Sequence, residues 1–134
     1  KIDLIGAEKL KLKYGLTTKA GPEGGEVFEA LIPALTDLIE QIKAHLSYYQ
    51  THASHEHLSP NGKKVSKILL CGGGANLKGL TDFLSSELKI PVELGNPWIN
   101  ILPKPLKEVP ELPYEKSLSY TTALGLALRG VREK

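Results

Sequence analysis

The sequence predicts an α/β fold. Three observations carry that prediction. Apolar residues recur at helical spacing from Phe28 to Tyr49 and from Leu77 to Leu88. Two short apolar runs, 66–71 and 90–94, read as strands. Between them, Cys71-Gly72-Gly73-Gly74-Ala75-Asn76 joins the first strand to a helix, giving the order helix, strand, helix, strand, helix.

Each element rests on local chemistry. Asp3 is placed to cap a first helix, Leu4 to about Tyr14, which Gly15 closes. Residues 16–25 are rich in Thr, Gly and Pro and read as loop. A long helix runs from about Glu26 to Thr51. One face carries Phe28, Leu31, Leu35, Leu38, Ile42 and Tyr49, with His45 in the remaining slot. Ile32, Ile39 and Leu46 widen that stripe. Pro33 lacks an amide proton, so it either kinks this helix or marks its true start. Residues 52–64 form a polar loop containing the turn signal Pro60-Asn61-Gly62. After the glycines, a helix from about Leu77 to Leu88 places Leu77, Leu80, Phe83, Leu84 and Leu88 together. Residues 95–113 hold five of the nine prolines and read as irregular. Ser117 or Ser119 caps a final helix, Tyr120 to about Arg129, ended by Gly130. Its interior, Ala123-Leu124-Gly125-Leu126-Ala127-Leu128, is small or apolar throughout and is expected to be buried on most sides. Two strands are too few for a complete α/β core, so the chain is a fragment or hides further strands.

Composition narrows the function. The 134 residues suffice for one compact domain, and 41% of them are hydrophobic, which excludes disorder. Seventeen basic residues balance fifteen acidic ones, for a net charge of +2, and no basic cluster interleaves with aromatics. Nucleic acid is therefore not an expected partner. The single cysteine, Cys71, has no partner for an internal disulfide and is expected to be a reduced core residue at a strand end. No apolar run approaches the roughly 20 residues of a membrane span, and no signal peptide is expected. The sequence opens on Lys1, contains no methionine and runs directly into helical pattern, as a piece of something longer would.

The glycine turn carries the most chemistry. Three successive glycines after an apolar strand strip side chains from a turn, so a ligand comes close to main chain. A phosphate-wrapping loop needs Gly-x4-Gly-Lys-Ser/Thr. Gly74 and Gly79 have the spacing, but Leu80 and Thr81 follow and Lys78 precedes. A dinucleotide turn needs Gly-x-Gly-x-x-Gly with a carboxylate about 20 residues on. Gly72 and Gly74 fit, but Leu77 stands at the third glycine, and Glu93 has only the distance to recommend it.

A third pattern fits: apolar strand, Gly72-Gly73-Gly74-Ala75-Asn76-Leu77-Lys78-Gly79-Leu80, then amphipathic helix. It resembles the adenosine motif of the actin-like ATPases. The resemblance implies that Gly72, Gly73 and Gly74 pass under the ribose and adenine, with Asn76 beside the base. Glu8 and Lys11, three apart on one helix face, resemble the pair with which related chaperone ATPases hold the ribose hydroxyls and adenine. Within the superfamily the sequence resembles the PilM family of type IV pilus proteins. The residues carrying this are Ala7-Glu8-Lys9-Leu10-Lys11 with Tyr14-Gly15, the run from Ile39 to Tyr49, the glycine turn, Ile90-Pro91-Val92 with Asn96-Pro97, and the run from Ser119 to Arg129. They follow the family's order across nearly all of the chain. The cell-division protein FtsA shares the fold and turn, but Tyr48-Tyr49 and the closing Gly-Leu-Ala-Leu-Arg look more like PilM.

The resemblance implies a fold and a role. The fold is the C-terminal portion of the second lobe of an actin-like (ribonuclease-H-like) ATPase. Residues 1–25 are the remnant of its outer subdomain and 26–134 the inner subdomain. The role is that of a cytoplasmic nucleotide-binding component, peripheral at the inner membrane, of the platform that assembles type IV pili for twitching motility. The cofactor is ATP or ADP. The partners are the PilN cytoplasmic tail and other platform proteins, with a homo-oligomer also expected. Magnesium and the phosphates are held in the family by Asp-x-Gly loops. The three aspartates here, Asp3, Asp37 and Asp82, lack a glycine two residues on. No catalytic residue or metal ligand is therefore assigned. The chain is expected to hold the adenosine half of the site, to bind ATP weakly alone and not to hydrolyse it.

Plainer readings fit the same residues. Gly72–Gly74 make a tight strand-to-helix turn in any case. Glu8 and Lys11 also suit a solvated helix pair, and Asn76 suits a cap for a helix starting at Leu77. His45, His52, His55 and His57 lie near the end of the long helix, where only Glu56 adds a carboxylate; a solvated helix end accounts for them better than zinc. The proline-rich stretch around Trp98 suits irregular packing over a sheet edge as well as a binding surface. A nucleotide-independent interaction module of the same fold is the alternative to the ATP-binding reading.

Overall fold

The computed structural model describes residues 3–17, 21–52, 64–99, 101–102 and 111–132. They divide into two compact units, residues 1–68 with 77–92 and residues 69–76 with 93–134.

The first unit is mainly helical. Helix α1 spans Leu4–Tyr14. The Asp3 carboxylate accepts from the Gly6 amide at 2.8 Å, satisfying one orphan donor of the first turn. Gly15 ends the helix at φ 55° and donates to the Lys11 carbonyl at 2.9 Å. Helix α2 spans Gly21–His52, five residues earlier at its start than the expected Glu26. The loop reading of 16–25 is thus corrected over 21–25. Pro22 suits a first helical turn, where an amide proton has no partner. Gly24 is buried, and the Tyr14 hydroxyl donates to Glu23 at 2.6 Å. Packing against α1 overrides the poor helix propensity of the glycines. Pro33 lies inside α2, so it is not the helix start.

Helix α3 spans Leu80–Leu88. It buries Leu80, Leu84 and Leu88, and with Leu16, Leu35, Ile39 and Val92 these form the buried apolar set of this unit. Leu84 is wholly enclosed. Phe28 meets Phe83 edge to face, with ring centroids 6.3 Å apart. Of the predicted α2 stripe and its widening, Leu35 and Ile39 are buried, whereas Leu38 and Tyr49 are exposed.

Strand β1 covers Ile68–Leu70 and β2 covers Val92–Leu94, each shorter than its apolar run. They pair as a two-stranded sheet. Ile68 donates to the Pro91 carbonyl at 2.9 Å and Gly95 to that of Leu70 at 2.8 Å, the offset of parallel strands. Helix α3 is the crossover of this β-α-β unit.

The second unit holds the glycine turn, a 3₁₀ turn at Gly73–Asn76, and the C-terminal helices. Helix α4 is the single turn Tyr114–Ser117, a 3₁₀ turn covers Leu118–Tyr120, and α5 spans Thr121–Arg132. Ser117 and Leu118 are fully buried. Neither expected serine caps α5: the Ser117 hydroxyl bonds back to the Tyr114 carbonyl at 2.5 Å, while Thr121 bonds to that of Leu118 at 2.8 Å. Gly130 lies inside α5 rather than after it.

Two burial expectations are corrected. Helix α5 exposes Leu126 and Val131, at 65% and 74%, instead of being enclosed. Its own unit supplies no surface for that face among the described residues. Cys71 is exposed, because β1 ends one residue before it and releases it from the sheet. His55, His57 and Pro60-Asn61-Gly62 lie outside the described residues.

Candidate functional site

The turn after β1 is open on its outer side. Gly72 sits at φ 92°, a conformation glycine adopts freely and other residues rarely do. Its amide donates to the Leu118 carbonyl at 3.0 Å. The Ala75 amide returns to the Gly72 carbonyl at 3.1 Å, and Ala75 is buried. A β carbon added at Gly72 or Gly74 would meet nothing within 4 Å. One added at Gly73 would lie 3.0 Å from the Ser119 hydroxyl oxygen. Main chain at 72–74 is thus an unobstructed strip with a serine at its side. Such a surface fits a flat ligand laid on backbone.

Asn76 does not act as the helix cap that its position suggested, because α3 begins at Leu80 after Gly79, which is left-handed at φ 78° and offers no side-chain cap. Its amide nitrogen instead donates to the Glu115 carbonyl at 2.7 Å. Its amide oxygen is buried and finds no partner. The side chain therefore faces inward and fastens the turn to the start of α4. Two hydrogen bonds from 115–118 support the turn, Glu115 on Asn76 and Leu118 on Gly72, and Ser119 lies beside Gly73. Sequence reasoning missed Glu115 and Ser119 in this position, since no local signal joins residues about 40 positions apart.

Glu8 and Lys11 belong to the first unit, the glycine turn and Asn76 to the second. Glu8 and Lys11 pair with each other at 2.7 Å, half exposed. They line a groove of about 510 Å³ between α1 and α2. Leu4, Ala7, Val27 and Leu31 give it apolar walls, and Glu23 and Glu26 add carboxylates. Glu23 already accepts from Tyr14.

Among the described residues no group of three or more His, Cys, Asp or Glu is placed to hold a metal ion. His52 stacks on Tyr48 with centroids 4.2 Å apart, and its Nδ1 lies 2.7 Å from the Thr51 hydroxyl. No helix among the described residues is long and apolar enough to cross a membrane.

These features define a helix-dominated α/β protein with a small parallel sheet and a glycine-lined surface after its first strand. The sequence matches the family model described as type IV pilus assembly protein PilM over residues 7–131, and the chain belongs to that family. A solved structure, the PilM–PilN type IV pilus biogenesis complex, is similar, with 29% identity and a TM-score of 0.66. The alignment covers 96% of this chain and 32% of that one, so this chain spans about a third of its neighbour's length. No curated protein matches the sequence.

Proposed function

We propose that this chain is the adenosine-binding part of an actin-like protein that serves type IV pilus assembly. Membership of the PilM family supports the pilus role. The observation that carries the nucleotide half is the open glycine strip, where added β carbons at Gly72 and Gly74 meet nothing. Gly72, Gly73 and Gly74 would lie under the nucleoside; the adenine role of Asn76 and the ribose role of Glu8 and Lys11 rest on the family resemblance alone. The Gly72 amide is taken by the Leu118 carbonyl and the Ala75 amide by that of Gly72, so neither is available to a ligand. Magnesium, phosphates and any hydrolysis belong to residues outside this sequence, since none of its aspartates stands in an Asp-x-Gly loop. The lobe assignment, with its subdomains 1–25 and 26–134, belongs to the same reading.

The solved neighbour is a complex with PilN. On that basis the full-length protein binds a PilN-type partner and other platform components, works in the cytoplasm at the inner membrane and takes part in twitching motility. The contacts are not assigned to residues of this chain.

One observation favours a second reading, a structural module without nucleotide. Glu8 and Lys11 satisfy each other, and the Asn76 amide is occupied by Glu115. Calorimetry of ATP and ADP on the full-length protein separates the two. Gly74→Val puts a side chain on the strip without disturbing a neighbour, and Gly73→Val serves as a second variant. The proposal expects binding heat in the wild type and its loss in Gly74→Val with unchanged stability. No heat in the wild type establishes the second reading. A robust ATPase rate from the 134-residue chain alone would contradict the half-site assignment.

A further inference from the structure

We infer that Ser119 is a nucleoside contact of the glycine turn, through its hydroxyl and a sugar hydroxyl of the bound nucleotide. The inference rests on the nucleotide reading above.

Ser119 is exposed, and its oxygen lies 3.0 Å from where a β carbon on Gly73 would stand. It therefore borders the bare backbone of the glycine turn. Among the described residues no hydrogen bond engages its hydroxyl. The neighbouring serine and threonine do the opposite. Ser117 and Thr121 both spend their hydroxyls on nearby carbonyls, at 2.5 and 2.8 Å. Such local back-bonding is the ordinary fate of these residues beside helix ends. Ser119 sits between them and is left open toward Gly73.

Its position is also fixed. Leu118, the preceding residue, is fully buried and holds the Gly72 amide through its carbonyl at 3.0 Å. Asn76 ties the far end of the turn to Glu115 at 2.7 Å. The 115–119 segment and the turn thus move as one body, and a hydroxyl carried on it is preorganised toward whatever lies on the glycines. A hydroxyl is neutral and both donates and accepts, which matches a sugar hydroxyl better than a phosphate, for which a cation is the stronger partner. Gly73 leaves this hydroxyl uncovered: a β carbon there would press on it.

Calorimetry on the full-length protein with ATP, 2′-deoxy-ATP and 3′-deoxy-ATP tests this. Ser119→Ala is expected to weaken ATP binding about threefold to tenfold, the value of one neutral hydrogen bond. Ser119→Thr keeps the hydroxyl and is expected to retain affinity within about twofold. The penalty for removing one sugar hydroxyl, present in the wild type, should shrink toward none in Ser119→Ala. A merely structural serine would not alter that discrimination. Wild-type affinity in Ser119→Ala, equal weakening in Ser119→Thr, or an unchanged deoxy penalty would each overturn the inference. Absence of binding in the wild type would instead remove the nucleotide reading on which it rests.

Discussion

Replacing Gly15 with alanine should be the most damaging small substitution in the first unit. Gly15 is buried at φ 55°, and a β carbon there would stand 2.6 Å from the Lys78 carbonyl oxygen and 2.7 Å from the Lys78 β carbon. Two independent penalties apply. The left-handed backbone costs a residue with a side chain about 1–3 kcal/mol. Overpacking against main chain costs a further 1–3 kcal/mol or so. Relief by backing away is blocked, because the Leu16 amide donates to the same Lys78 carbonyl at 2.8 Å and the Lys78 ammonium returns to the Lys13 carbonyl at 3.0 Å. The expected loss is about 2–6 kcal/mol, a large part of the roughly 5–15 kcal/mol by which domains of this kind are stable. Gly21→Ala and Gly25→Ala are the controls. Gly21 shares the positive φ, at 77°, but a β carbon meets nothing, so only the strain applies. Gly25 has neither problem and lies within α2, so alanine there should stabilise by about 0.4–1 kcal/mol. Guanidinium unfolding of the four proteins followed by helical circular dichroism gives the values. If Gly15→Ala proves no worse than Gly21→Ala, the close approach to Lys78 is not what the site requires.

Other substitutions test other links. Leu84→Ala empties the one fully buried α3 position and should cost about 2–5 kcal/mol in the same unfolding experiment; under 1 kcal/mol would mean the unit has no core there. Asp3→Ala removes the bond to the Gly6 amide and should cost about 1 kcal/mol, with lower helicity, while Asp3→Asn should nearly restore it. Gly72→Ala should cost stability by strain at φ 92°, whereas Gly74→Ala should leave it unchanged, which separates the glycine needed by the fold from one kept open on the surface.

Local signals carried the first elements into view. Asp3 and Gly15 bound α1 because a cap and a left-handed stop act within one turn of helix. The βαβ order also followed from the sequence, since apolar runs and glycines punctuate it directly. The start of α2 did not. Residues 21–25 have loop composition, and their helix depends on α1, where Tyr14 meets Glu23. The cap expected of Asn76 and the burial expected of Cys71 failed for related reasons. Asn76 is drawn to Glu115 rather than to the neighbouring helix, and Cys71 lies past a strand that ends early. The apolar interior of α5 pointed to burial, but burial requires a covering surface, and its unit leaves Leu126 and Val131 exposed. The candidate site divides likewise. Its glycines were legible because only bare backbone explains three in a row, while Ser119 was not, because its relation to Gly73 exists only after folding.

The support beneath the glycine turn also sets an order of events during synthesis. Asn76 reaches Glu115 across 39 residues, and Gly72 depends on Leu118 further along still. A ribosome making the chain in the usual direction releases the turn long before it releases either support. Helices α1, α2 and α3 have by then emerged and can pack through the α1–α2 and α2–α3 contacts, which need nothing downstream. The glycine-lined surface is therefore among the last features to take shape, and premature termination before Glu115 would yield a chain with a helical body and an unfastened turn.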